Sequence, residues 1–222
     1  MDRGAVPSLL LVFAVAAGLG GCKLEKHVAT NDGDGQAQQV VSSDPGGDMD
    51  ALVADIWSKQ VLPHLQQTAT DMAVLGDAIA GDVDVAGEAH GYRPSSEGSP
   101  WNFAARVQGT ILAARTDTRA ATAEVDVTAD GKADVILQLG PVIRGTALRD
   151  ILPFVDFSSF TDQIEFAQLS RSLNTRAYES ALKDLPRDDL VGKTVDVLGA
   201  FTVRGDGPPY LITPVETKIG GS

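Results

Sequence analysis

The stretch Trp101 to Gly140, WNFAARVQGTILAARTDTRAATAEVDVTADGKADVILQLG, decides the fold class. Phe103, Ala105, Val107, Gly109 and Ile111 alternate with Ala104, Arg106, Gln108 and Thr110. A two-residue period puts successive side chains on opposite faces, so this is a strand with one face toward a core. Arg115 to Arg119 (RTDTR) makes a turn, after which Ala123, Val125 and Val127 alternate with Glu124 and Asp126. Asp130-Gly131 is a strong hairpin signal, because glycine supplies the positive φ that tight reversals require. Val135, Leu137 and Leu139 form a third apolar row until Gly140-Pro141 breaks the ladder. The product is a three-stranded meander.

Beyond the meander the period changes. Phe166, Leu169, Leu173, Ala177 and Ala181 recur at helical spacing between Asp162 and Leu185, and Pro186 ends that helix. Two more alternating runs follow: Val195, Val197, Gly199, Phe201 and Val203, then Leu211 to Ile219, with Gly205-Asp206-Gly207-Pro208-Pro209 as the turn between them. The order β-β-β-α-β-β, with Gly109 and Gly199 in mid-strand where a small barrel must bend, is that of an OB-like five-stranded barrel over residues 101–219. An open five-stranded sheet with one helix packed on it has the same order. Either way the class is α+β, mainly β.

Upstream of the barrel, Asp48 and Asp50 offer N-caps to a helix with Leu52, Ile56 and Trp57 on one stripe, which Pro63 should end or kink. Leu65, Ala69, Met72, Leu75 and Ile79 follow at helical spacing and close at Gly81. Two short N-terminal helices are therefore expected in residues 48–100, with 82–100 mostly loop. Residues 22–47 read as a flexible tether, since 29–47 are rich in Gly, Asp, Gln and Ser with almost nothing to bury. Asp32-Gly33-Asp34-Gly35 lacks the further ligands of a calcium loop.

Residues 1–21 read as a signal peptide: the apolar run Ala5 to Leu19 falls short of the roughly 20 residues that span a bilayer. It ends in Leu19-Gly20-Gly21-Cys22, which resembles the lipobox of bacterial lipoproteins. Leu stands three residues before the thiol, two small residues fit a peptidase cleft, and Cys22 then takes the lipid that holds the protein to a membrane. Lys23, which is not Asp, leans toward the outer membrane by the enteric sorting rule.

Composition closes several functional classes. The chain has 222 residues with 18 Lys+Arg against 30 Asp+Glu, a net charge of -12, which repels polyphosphate and makes nucleic acid an unsuitable partner. Residues 22–100 carry 4 basic and 13 acidic side chains, whereas 101–222 carry 13 and 16, so the acidity belongs to the helical half. One cysteine, consumed by lipid, makes neither an internal disulfide nor a thiolate metal site, and no metal or cofactor is called for. His27, His64 and His90 all precede the barrel, leaving residues 101–222 without imidazole or thiol for a Ser-His-Asp or Cys-His scheme.

Several segments together carry a resemblance: Ser99-Pro100-Trp101-Asn102-Phe103, Gly140-Pro141-Val142-Ile143-Arg144-Gly145-Thr146-Ala147-Leu148-Arg149-Asp150, the Phe-rich 153–166 stretch, Val191-Gly192-Lys193-Thr194 and Ile212-Thr213-Pro214. Over roughly residues 20 to 219 the chain resembles the predicted periplasmic lipoproteins of domain of unknown function 2291. The resemblance implies a periplasm-facing lipoprotein whose genes lie beside sugar-type ABC transport systems. It carries no catalytic residues to transfer.

Between Gly140 and Asn174, the polar residues Arg144, Arg149, Asp150, Gln163 and Asn174 crowd among Phe154, Phe157 and Phe160. Planar polar groups beside aromatic faces are what a sugar or polyol site uses, and Trp101 is a further candidate stack for such a ligand. The structural alternative is a buried Arg–Asp pair bracing this long connection, with the phenylalanines and Trp101 as core. Two functions follow as expectations. One is a non-enzymatic binding or accessory module serving solute uptake through an ABC transporter or its substrate-binding protein. The other is an envelope enzyme using carboxylates alone, drawn from Asp150, Asp156, Asp162 and Glu165.

Overall fold

The computed structural model describes residues 48–94, 98–205 and 207–221. Asp48 caps helix α1 (Met49–Ile56), its Oδ1 accepting from the backbone N–H groups of Asp50 and Ala51 at 3.0 and 3.2 Å. A π-helical turn, Trp57–Val61, leads without a break into α2 (Leu62–Thr68). Leu62 N–H bonds to Trp57 O, five residues back, so the widened turn shifts the bonding register just before Pro63. The proline is accommodated there and does not end the helix. A two-residue strand, β1 (Thr70–Asp71), precedes α3 (Met72–Gly81), capped by Asp71.

The segment expected as loop holds a further helix, α4 (Val83–His90), whose N-terminus is capped by Asp82 through Asp84 N and Val85 N. Its sequence shows no apolar stripe because it buries only Ala86 and Gly87. The Trp101 ring lies directly on Gly87, and any Cβ there would overlap the indole. A two-residue strand, β2 (Gly91–Tyr92), then pairs antiparallel with the barrel.

The barrel strands are β3 (Asn102–Arg115), β4 (Thr122–Asp126), β5 (Val135–Gln138), β6 (Thr194–Thr202) and β7 (Tyr210–Ile219). Between β5 and β6 lie a short helix α5 (Ala147–Asp150), a 3-10 turn (Phe157–Ser159) and the long helix α6 (Gln163–Ala181). The order is β3-β4-β5-β7-β6, with β5 and β7 parallel, and β6 pairs back onto β3 from Asn102↔Thr202 to Thr110↔Thr194. That last pairing closes the cylinder and excludes the open sheet. Gly109 and Gly199 sit where neighbouring strands leave no room for a side chain: a Cβ on Gly109 would strike Asp126 O, and one on Gly199 would strike Thr213 O and Ile212. The pairing of β6 with β7 shifts register at Leu198/Gly199.

Two apolar clusters result. The first includes Phe103, Val107, Val125, Leu137, Val197, Phe201 and Ile212 from alternate positions of the strands, joined by Met72, Leu75 and Ile79 of α3 and by Leu182 and Leu190. The second covers the other face of β3, β6 and β7, where Ala104, Leu198, Ala200 and Val215 meet α1, α2, α5 and α6. The N-terminal helices are thus part of the same packed body, as helices this short require.

His64 of α2 lies half-buried at this contact, its ring edge-on to Phe154 with centroids 6.0 Å apart and its Nε2 3.2 Å from Ile151 O. Burial lowers its pKa from the usual 6.5, with the carbonyl acting in the opposite sense. Around and below pH 6.5 the unfolded chain therefore binds more protons than the folded one, so stability is full above that pH and declines as pH falls through it. Urea midpoints at pH 7.5 and 5.0 should differ less in His64→Gln than in the wild type. An equal or larger difference in the variant would refute this assignment.

Candidate functional site

The connection from Gly140 to Asp150 is pinned residue by residue. Gln138, buried at the end of β5, accepts from Arg144 N (2.7 Å) and donates to Arg144 O (3.0 Å) and Thr213 Oγ1 (2.9 Å). Asn174 of α6, also buried, donates to Gly145 O at 3.0 Å, and Gly145 takes φ +88, a conformation that disfavours a side chain. Thr146 donates its hydroxyl to Asp150 Oδ2 at 2.5 Å. Arg149 then grips the other carboxylate oxygen through Nε (2.8 Å) and a terminal nitrogen (2.6 Å). Its guanidinium lies 3.8 Å over the Phe166 ring and donates to Phe166 O. The pair is 14% and 15% exposed, so every polar bond in it is made largely out of water.

Arg149 and Asp150 form one wall of a cleft of about 370 Å³, with Tyr92, Asn102, Asp156, Phe157 and Phe166 around it. Asn102, the fully buried first residue of β3, accepts from Thr202 Oγ1 at 2.6 Å, while its amide nitrogen reaches Tyr92 O, Pro100 O and Asp150 O at 3.3–3.4 Å. It ties the barrel, β2 and α5 together behind the cleft. The Asp156 carboxyl is held below its usual range by the backbone N–H and hydroxyl of Ser158. Tyr92 is pushed up by burial and then by the charge of Asp156, so its phenol stays protonated at neutral pH. The cleft offers fixed donors and fixed acceptors beside the exposed Phe157 ring, with Phe166 carrying the Arg149 guanidinium on its face.

The family profile of the predicted periplasmic lipoproteins (DUF2291) matches residues 12–218. The chain belongs to this family. The family's description implies a membrane lipid anchor and a periplasmic location for the lipoprotein. Among solved structures, an OB-fold protein from Thermotoga maritima is similar, with a TM-score of 0.63, 17% identity, and coverage of 78% of this chain and 99% of that one. At that identity the likeness shows the fold alone. No curated protein matches the lipoprotein significantly.

Of the residues singled out in the sequence, the lipoprotein brings Arg149 and Asp150 together in this cleft. Arg144 does not belong to the ion pair: its side chain is exposed and lines a different cleft, and only its backbone is held. Asn174 is spent on Gly145 O, and Gln163 is exposed in the first turn of α6. Trp101 donates its indole N–H to Asp84 Oδ1 at 2.7 Å and lies 4.2 Å under the Arg93 guanidinium, so it fastens α4 to the barrel. Phe154 and Phe160 are core, whereas Phe157 is 48% exposed on the cleft's rim. Cys22, Lys23 and the tether lie outside the described residues.

Tyr92, Asn102 and Phe166 are among the cleft residues that sequence reading did not single out as site residues. The one signal for Asn102 is an amide set between Trp101 and Phe103 at the start of a strand. Among the described residues no group of three His, Cys, Asp or Glu side chains is placed to hold a metal ion. No described helix is long and apolar enough to cross a membrane.

Proposed function

We propose that this lipoprotein, anchored by lipid on Cys22, is a non-enzymatic binding or accessory module for solute uptake, and that its cleft takes a small sugar or polyol. The locked Arg149–Asp150 pair beside Phe166 carries the reading. A hydroxyl both donates and accepts, so neighbouring hydroxyls of a polyol match a guanidinium and a carboxylate side by side, while aromatic faces cover C–H surface. Both oxygens of Asp150 already accept, from Arg149 and from Thr146, which weakens the carboxylate as a base while leaving lone pairs for a ligand hydroxyl, and so supports binding over carboxylate catalysis. The link to sugar-type ABC transport, through the transporter or its substrate-binding protein, rests on the family resemblance, and the preference for the outer membrane on Lys23.

A thermal melt against a panel of monosaccharides and polyols tests this reading. At about 100-fold above its dissociation constant a true ligand adds roughly 2.7 kcal/mol. At roughly 2–4 °C per kcal/mol for a chain of this size, Tm should rise by about 5–10 °C. Phe157→Ala, which removes an exposed ring, should abolish most of the shift and leave the unliganded Tm nearly unchanged. A panel in which no sugar or polyol moves the melt would sink the proposal.

A further inference from the structure

A second cleft, of about 520 Å³, opens on the other side of the pinned connection, between Arg144–Ala147, the end of β6 and the start of β7. Its chemistry differs from that of the first. Arg144 and Arg204 both line it with exposed side chains, and among the described residues no carboxylate does. Neither guanidinium has a hydrogen-bond or ion-pair partner among the described residues, although the chain carries 30 acidic side chains to 18 basic ones. The hydroxyls of Thr146 and Thr202, also on this wall, are turned to Asp150 and Asn102. Among the described residues the cleft therefore offers a ligand two cationic donors, the hydroxyl-bearing residues Tyr210 and Thr213, and an apolar wall of Pro209 and Leu211.

A sugar hydroxyl needs acceptors as well as donors, and this cleft has no carboxylate among its described lining. An oxyanion needs donors alone, and guanidinium groups meet it bidentately. Two guanidinium charges match a phosphate monoester, which carries about -1.5 to -2 near pH 7, better than a single carboxylate. The site is also built. Gln138 holds Arg144 at both backbone N and O, and Asn174 holds Gly145, so the loop that presents one arginine has little freedom to lose on binding. We infer that the Arg144–Arg204 cleft is a phosphate-binding site, taking a phosphoryl group with a short organic substituent lying on Pro209 and Leu211. This site is separate from the polyol cleft, and neither reading needs the other.

The phosphoryl group comes either from a soluble ester or from a phospholipid headgroup, and the experiment separates the two. Equilibrium dialysis of the purified lipoprotein in non-ionic detergent with labelled inorganic phosphate and glycerol 3-phosphate should show saturable binding of both, tighter for the ester. Arg144→Gln and Arg204→Gln should each weaken it by about tenfold or more, the loss expected for one charge-assisted hydrogen-bonded contact. Both side chains are exposed and have no partner among the described residues, so the Tm of each variant should match the wild type, which certifies that folding is intact. In parallel, the full chain carrying Cys22→Ser is sedimented with phosphatidylcholine vesicles that contain or lack phosphatidic acid, whose headgroup is a phosphate monoester. Arginine-dependent capture by the anionic vesicles supports the site and assigns the headgroup as its source; phosphate binding without capture supports it and assigns a soluble ester. Absence of both, or binding that survives in the Arg144→Gln/Arg204→Gln double variant, overturns the inference.

Discussion

Phe201→Ala is expected to destabilise the fold by about 3–5 kcal/mol, the range for emptying a buried aromatic site. Phe201 has no exposed surface and lies at the meeting point of the barrel's construction. It pairs in register with Phe103 on the strand that closes the cylinder. Its ring stacks on that of Phe103 at 5.4 Å and against Tyr210 of β7 at 5.2 Å. Two residues away, Gly199 leaves no backbone slack, since there is not room for even a Cβ between it and Thr213 O and Ile212, so the cavity will not collapse easily. At roughly 2–4 °C per kcal/mol the loss in Tm is about 6–20 °C. Calorimetry of the variant beside Phe157→Ala, an exposed ring on the cleft rim, provides the comparison. A Phe201→Ala variant that melts within a degree or two of the wild type would show that the barrel interior does not hold the fold.

Asp150→Ala is the second large effect, at about 2–4 kcal/mol. The carboxylate holds Arg149 through two nitrogens and Thr146 through its hydroxyl, and the guanidinium is only 14% exposed. Removing the acid leaves a nearly buried cation with Phe166 O and the Phe166 ring as its remaining partners. Breaking one side of such a pair costs more than removing both, because the surviving charge stays desolvated. A cycle with Arg149→Leu and the double variant should therefore be non-additive, the double variant being more stable than the sum of the singles by about 1 kcal/mol or more. Urea denaturation of the four proteins measures this. Additivity within about 0.5 kcal/mol would mean that the two side chains stand independently.

The strands were legible because one face of each carries apolar residues at every second position, as from Phe103 to Ile111 and again from Val195 to Val203, even though Ala104, Leu198 and Ala200 on the opposite face are buried under the helices. Helix α6 was legible for the same reason at its own period. Helix α4 was not, because it packs through Ala86 and Gly87 alone, and its fit depends on an indole fourteen residues away that lies on the glycine. The candidate site divides along the same line. Arg149 and Asp150 are adjacent in sequence and meet in space, so a polar pair was visible there. Arg144, five residues earlier in the same segment, was not separable from them by sequence, yet it faces another cleft.

Local pattern determined the five barrel strands, their order along the chain and the long helix α6: the apolar period of a segment depends only on its own residues. Closure of the barrel depends on β3 meeting β6 across roughly ninety residues of chain, and on Gly109 and Gly199 meeting strands far from them in sequence. The tertiary structure alone decided that, and it alone sorted the polar residues into a cleft with donors and acceptors and a cleft with cationic donors. Which side of a loop an arginine faces is set by the buried amides of Gln138 and Asn174 that clamp the backbone beside it. Those contacts span 6 and 29 residues of sequence and leave no periodic trace in it.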